Sequence, residues 1–343
     1  MDIRTPTLDQ VIDIYILCCA TEGKSPKTID WYSANLRRFR DFLKQEGLAR
    51  GITDIGTSEA RKFIFHLQNN VKRWETSPYV NDSRGLSSFS VHGYARTIKA
   101  FWSWLLAEGY ISHNPMVKLR LPRTEHKVIA TFSPEQVKKL LDATDRKTPA
   151  GFRDYVMIML LYDTGIRLSE IINLDFHKID FSQSCLVVNG KGNRERTVPF
   201  GREVRRMLWR YMSGFRPEPD SPQVVQLFLT DKGLPLRPRA VQSMLSRLGK
   251  RAGISEVRCS PHTLRHTFAK QYLMCGGDVF SLQRILGHSS LEVVKIYINL
   301  LSSEICKQHS KFSPADNMEM AGLSYGKRLA LPAATKTNRS ELS

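Results

Sequence analysis

The chain has 343 residues, of which 51 are Lys or Arg and 33 are Asp or Glu, giving a formal net charge of +18. That length suits two domains rather than one core, and 41% hydrophobic with 9% aromatic residues excludes an intrinsically disordered chain. No apolar run approaches the roughly 18 residues of a membrane helix, and no apolar stretch follows Asp2 and Arg4 as a secretory signal requires, so a soluble intracellular protein is expected.

In chain order, Leu8, Val11, Ile12, Tyr15 and Ile16 recur at helical spacing behind Thr7, a capping residue. Ser25-Pro26-Lys27 opens a second helix with apolar positions at Ile29, Tyr32, Leu36, Phe39, Phe42 and Leu43, and Gly47 stops it. Thr57-Ser58-Glu59 begins a third, turning Phe63, Ile64 and Leu67 inward. Residues 74–88 are rich in Ser, Asn, Asp, Gly and Pro and are predicted as a loop. A fourth helix runs through Ile98, Phe101, Trp102 and Leu105 to Gly109, and its Arg96 and Lys99 are candidates to face phosphate. Asn114-Pro115 closes this helical unit. A charged, Pro-containing connector without periodicity follows, which predicts a helical domain over 1–118, a linker over 119–130, a second domain over 131–312 and a polar tail over 313–343.

Ser133-Pro134-Glu135-Gln136 is a capping signature that launches the second domain. Phe152 to Leu161 is a strongly apolar helix and Leu168 to Leu174 another. Cys185-Leu186-Val187-Val188, the Gly-rich Asn189-Gly190-Lys191-Gly192, and Arg196-Thr197-Val198-Pro199 read as a β-hairpin. From Val204 onward the pattern is helical again, with Pro-rich loops. The expected class is therefore mainly α with a small β-hairpin. The six cysteines show no C-x-x-C pair or metal-ligand spacing, and read as reduced thiols.

The charge excess favours a polyanionic partner, and DNA, RNA and anionic membrane surfaces all qualify. It lies within patterned, foldable sequence: Arg237, Arg239, Arg247, Lys250 and Arg251 follow one another with no acid between. Arg194, Arg196, Arg202, Arg205, Arg206 and Arg210 around the hairpin are further candidate phosphate contacts. Neutralising some 8 phosphates makes binding fall steeply with salt, at a slope near −0.9 per contact.

Six residues carry the chemistry. Thr164-Gly165-Ile166-Arg167-Leu168-Ser169-Glu170 puts an arginine at a Gly-punctuated helix start, and Lys191 sits in the hairpin turn. His262-Thr263-Leu264-Arg265-His266 puts a histidine and an arginine three apart, on one helical face. Leu286-Gly287-His288 and then Tyr297 follow. Attack on a phosphodiester builds negative charge on its non-bridging oxygens, which the planar forks of Arg167 and Arg265 are shaped to grip. A tyrosine hydroxyl, with an unperturbed pKa of about 10, is a poor nucleophile unless cations favour its phenolate and a neutral histidine takes its proton. His262 is the candidate base, Lys191 the candidate acid for the leaving oxygen, and His288 a phosphate hydrogen-bond donor.

The ordered series Arg167, Lys191, His262, Arg265, His288 and Tyr297 closely resembles the tyrosine recombinases, the phage-integrase family of site-specific DNA recombinases. All six positions hold the expected residue types. The resemblance spans about Thr7 to Phe312 and implies a helical, SAM-like core-binding domain followed by an α+β catalytic domain. It implies further that Tyr297 forms a covalent 3′-phosphotyrosyl link, that strands exchange through a Holliday junction, and that neither metal nor ATP takes part. The implied partners are double-stranded DNA with paired half-sites, three further copies of the chain in a tetramer, and accessory DNA-bending proteins, with no membrane. Glu170 is implied to support the site without touching phosphate, and the tail to dock on a neighbouring protomer. The resemblance also implies a prokaryotic cytoplasm with nucleoid association, and a mobile-element or plasmid recombinase is the expected subtype.

Each piece alone has a plainer meaning: Arg167 with Glu170 is an ordinary helix ion pair, Lys191 a solvated turn residue, Tyr297 a half-buried apolar-face tyrosine. Order and spacing together decide otherwise. Two alternatives remain at this point, a type IB topoisomerase with similar chemistry on one duplex and a non-catalytic DNA-binding regulator on the same fold.

Overall fold

A computed structural model describes residues 6–48, 51–72, 85–125, 130–190 and 195–287. The chain divides into two compact units, Met1–Val128 and Ile129–Ser343.

In the first unit, α1 (Leu8–Thr21) starts at a reciprocal capping box between Thr7 and Gln10, α2 (Pro26–Gln45) is capped by Ser25, and α3 (Thr57–Asn69) and α4 (Ser88–Ala107) follow. The loop expected over 74–88 falls mostly outside the described residues, and α4 already begins at Ser88, where the Ser87 side chain accepts from the Ser90 backbone. An unpredicted 3₁₀ turn, Pro115–Lys118, is capped by Asn114 and closes the helical set. Helical periodicity points Tyr15, Leu36, Phe39, Phe63, Phe101 and Trp102 into one core. Each such side chain contributes roughly 1.5–3 kcal/mol of hydrophobic stabilisation. The ring of Phe63 lies 4.9 Å from Phe39 and 5.3 Å from Phe42.

The second unit begins with α5 (Pro134–Asp142), whose Ser133 and Gln136 form the expected capping box. α6 (Pro149–Thr164) is the central helix: Val156, Met157, Ile158, Leu160 and Leu161 are all fully buried. A short α7 (Leu168–Ile172) leads into an antiparallel sheet of β1 (Ile179–Asp180), β2 (Cys185–Asn189) and β3 (Glu195–Pro199) in that order. The hairpin was legible, with Val187 opposite Thr197, whereas the two-residue β1 is too short to show periodicity. α8 (Arg202–Gly214), α9 (Pro238–Arg251), α10 (Pro261–Met274) and α11 (Val279–Leu286) complete the unit, and α6 packs against α8 and α10. No described helix is long and apolar enough to cross a membrane.

Candidate active site

The site is assembled at two helix ends in the second unit. Gly165 terminates α6 in the left-handed region, at φ 61°, and a Cβ there would land 2.3 Å from Phe268. Only glycine allows that reversal at that packing distance. The chain then enters α7 with Arg167 as its N-cap residue. Gly287 ends α11 in the same way, at φ 64°.

The last carbonyls of a helix have no partner within it and carry the negative end of its dipole. At α11 three arginines take three consecutive carbonyls. Arg196 donates through Nε to Ile285 at 2.8 Å, Arg265 through Nη2 to Leu286 at 2.8 Å, and Arg167 through Nη2 to Gly287 at 3.2 Å. Arg265 also donates through Nη1 to the Gly165 carbonyl at 2.6 Å, which ties the end of α6 to the end of α11. The two arginines expected at phosphate are thereby brought to neighbouring anchors.

Glu170 balances this charge. Its Oε1 accepts from Arg167 Nη1 at 2.8 Å and Arg196 Nη1 at 2.7 Å, and its Oε2 from Arg196 Nη2 at 2.8 Å and the Arg167 backbone N–H at 2.7 Å. Burial pushes this carboxyl up, but the Arg196 hydrogen bonds and those of Arg167 outweigh it and hold the pKa at about 2. The carboxylate therefore stays ionised at any working pH.

α10 brings in the histidines. Ser260 caps it and Pro261 opens it, so that His262 lies in its first turn with Arg265 one turn on. His262 keeps an exposed edge while Arg265 is only 4% exposed. Desolvation, then the charges of Arg265 and Arg167, push the His262 imidazole below its ordinary range. It is neutral at pH 7, as a proton acceptor must be. His266, with its ring 5.8 Å from that of His262, is pushed down to about 4 by burial first and then by His262 and Arg265. Beside His262 opens a cavity of about 480 Å³, lined among others by Leu168, Gln242, Ser246, Lys250 and Arg258.

Of the residues expected here, Arg167, Glu170, His262 and Arg265 converge. Lys191, His288, Tyr297 and Arg194 lie outside the described residues. Arg96, Arg239 and Arg247 are exposed. Two basic residues are placed otherwise than expected. Lys99 donates to the carbonyls of Val117 and Leu119, at 3.3 and 2.9 Å, closing the 3₁₀ turn instead of facing outward. Arg196 is turned inward onto Glu170 and Ile285, its side chain 14% exposed. For Arg196 the local signal was strand alternation, since it stands two residues before the buried Val198 and shares its face; the helical Lys99 offered none.

Residues 130–304 match the family model described as phage integrase family. A tyrosine recombinase XerC of Oceanobacillus iheyensis is 34% identical over 314 residues, covering 90% of this chain and 98% of the relative. A tyrosine recombinase XerD of Listeria monocytogenes is 29% identical over 308 residues, 89% and 99% of the two chains. Among solved structures, a lambda integrase tetramer bound to a Holliday junction is similar with a TM-score of 0.66 at 19% identity, over 86% of this chain and 78% of that one. XerH bound to palindromic difH substrate, in its post-cleavage complex, is similar at 0.65 and 18%, over 90% and 85%. These structural likenesses are of fold, a mostly helical two-domain architecture with a small antiparallel sheet. With a family model matched over half its length and a relative that similar over nine-tenths of it, the chain belongs to the phage integrase family and is a tyrosine-type site-specific DNA recombinase.

Proposed function

We propose that this recombinase holds a DNA phosphodiester between Arg167, Arg265 and His288, and that Tyr297 attacks it. The observation that supports this most is the anchoring of Arg167 and Arg265 on the adjacent carbonyls of Gly287 and Leu286, which aligns two guanidinium groups next to His262. Preorganised cationic donors of this kind each contribute on the order of 10²–10³ in rate. His262, neutral at pH 7, takes the phenol proton. The Tyr297 oxygen bonds to phosphorus as the 5′-oxygen leaves, and Lys191 supplies that oxygen with its proton. A 3′-phosphotyrosyl ester and a free 5′-hydroxyl result. In the second step the 5′-hydroxyl of a partner strand gives its proton to Lys191 as it attacks the ester, and Tyr297 departs with the proton that His262 held. Because the ester conserves the bond energy, religation draws on no nucleotide.

The substrate is double-stranded DNA with paired half-sites, gripped by the exposed Arg96, Arg239 and Arg247 together with the lysine and arginine lining the cavity beside His262. Four protomers act together across a Holliday junction, with residues 313–343 docking on a neighbour and accessory proteins bending the DNA. The neighbour structures lend this assembly its precedent, since one is a tetramer on a Holliday junction.

The test is a nicked duplex carrying the recombination site, from which the short cleaved fragment bearing the 5′-hydroxyl diffuses away, trapping the covalent complex. Wild-type protein is expected to give a DNA adduct that mass spectrometry locates at Tyr297. Tyr297→Phe is expected to bind the duplex equally well and give none. An adduct on another residue, or recombination by the phenylalanine variant, would overturn the assignment.

A further inference from the structure

We infer that Arg196 is a positioning residue for strand cleavage: it locks Glu170 to the end of α11 so that Arg167 is presented to the scissile phosphate. The inference rests on the recombinase chemistry proposed above and adds to it a residue that never touches DNA.

The geometry is specific to arginine. A carboxylate offers about four lone-pair sites, and in Glu170 all four are used, two by Arg196 and two by Arg167. The two-pronged contact from Arg196 fixes the carboxylate plane, and that plane fixes the two positions from which Arg167 is held. The third donor of the same guanidinium, Nε, reaches the Ile285 carbonyl at 2.8 Å. One planar group therefore references Arg167 to the segment that leads through Gly287 into His288. Gly287 makes room for it, since a Cβ at that position would come within 2.9 Å of Arg196 Nε and 3.1 Å of its central carbon. A lysine supplies one charge and no fork. Arg196 is also the second residue of the return strand of the hairpin whose turn holds Lys191, so its strand and the α11 end are held together by the same contacts.

The experiment measures single-turnover adduct formation at saturating DNA for wild type, Arg196→Met, Arg196→Lys, Glu170→Gln and the double variant Glu170→Gln/Arg196→Met. Each is assayed on the ordinary substrate and on one whose leaving 5′-oxygen is replaced by sulfur. A thiolate departs without a proton, so sulfur restores proteins that lack only the leaving-group acid. Misplacing the phosphate grip is not cured that way. Arg196→Met is expected to cleave about 10²-fold more slowly on both substrates, with DNA affinity unchanged. Arg196→Lys, which keeps the charge beside Glu170 and with it the folded state, is expected to recover only part of the loss. The double variant is expected to be no slower than the worse single variant, because both act through one carboxylate. Cleavage by Arg196→Lys and Arg196→Met at the wild-type rate, full recovery with sulfur, or additive losses would each overturn the inference. Wild-type protein forming no adduct on either substrate would instead overturn the recombinase chemistry itself.

Discussion

In the first unit the buried polar side chains among the described residues are Asn35 and Thr97, and they face each other, Asn35 Nδ2 donating to Thr97 Oγ1 at 3.0 Å. Around them the core is aromatic and aliphatic. In the second unit an equally apolar core surrounds Asp154, Glu170 and Arg265, none more than 8% exposed. A buried charge costs several kcal/mol unless it is paired or hydrogen-bonded, and each of these is. Arg153 holds Asp154 at 2.8 Å, Arg167 and Arg196 hold Glu170, and Arg265 sits on the Gly165 and Leu286 carbonyls. The proposed grip on phosphate needs such charges dry and rigid, where their fields are strongest.

The largest effect expected from that contrast is on stability alone. Phe63 is fully buried among Phe39, Phe42 and Tyr94, so Phe63→Ala is expected to cost the first unit about 3–5 kcal/mol. Urea unfolding measures that loss, while adduct formation by the folded fraction at saturating DNA is expected to hold its wild-type rate. A slower rate with unchanged stability would mean that this core reaches the chemistry, and the contrast would collapse.

A smaller effect, of opposite kind, belongs to the second unit. An unfolded histidine takes its proton near pH 6.5, but His266 in the folded chain does not until about 4. The unfolded state therefore binds more protons across that window, and stability falls as the pH drops from 6.5 towards 4. Glu170 follows below it: with its folded pKa at about 2 against 4.5, its contribution is complete above pH 4.5 and is lost as the pH falls towards 2. Asp154 and Asp163, both raised first by burial, act in the other direction above pH 3.8. His266→Gln isolates the histidine. Relative to wild type, the variant is expected to lose roughly 2 kcal/mol less between pH 7 and pH 4.5. Equal losses would show that His266 is protonated in the fold without penalty.

How much of this was written in the sequence depends on the range of the interactions. The caps at Thr7, Ser25 and Ser133 and the hairpin pairing of Val187 with Thr197 are local, and residues a few positions apart announce them. The ordered motif residues named the chemistry because their types are so specialised. Arg196 was misread because its partners are 26 and 89 residues away, and a basic residue beside a Gly-rich turn looks like a phosphate contact. Lys99 misled for the same reason, its carbonyl partners being set by a 3₁₀ turn that periodicity does not show. Nor did composition reveal that three arginines share one helix end. That arrangement exists only once α11, α10 and β3 are packed.

The smallest expected effect tests whether the polar pair in the first unit is there for stability. Thr97 accepts from Asn35 and donates to the Gly93 carbonyl at 3.1 Å, within α4. Thr97→Val keeps the shape and strands the Asn35 amide, 5% exposed, without its acceptor. Leaving a buried donor unpaired is expected to destabilise by about 1–2 kcal/mol. Asn35→Leu combined with Thr97→Val removes both halves and is expected to regain most of that loss, since neither polar group is then left behind. Because no charge is involved, neither variant should move the rate of adduct formation. If the double variant instead stayed as unstable as the single, the pair would be fixing the packing of α2 on α4, and the first unit would share with the second a buried polar contact kept for geometry.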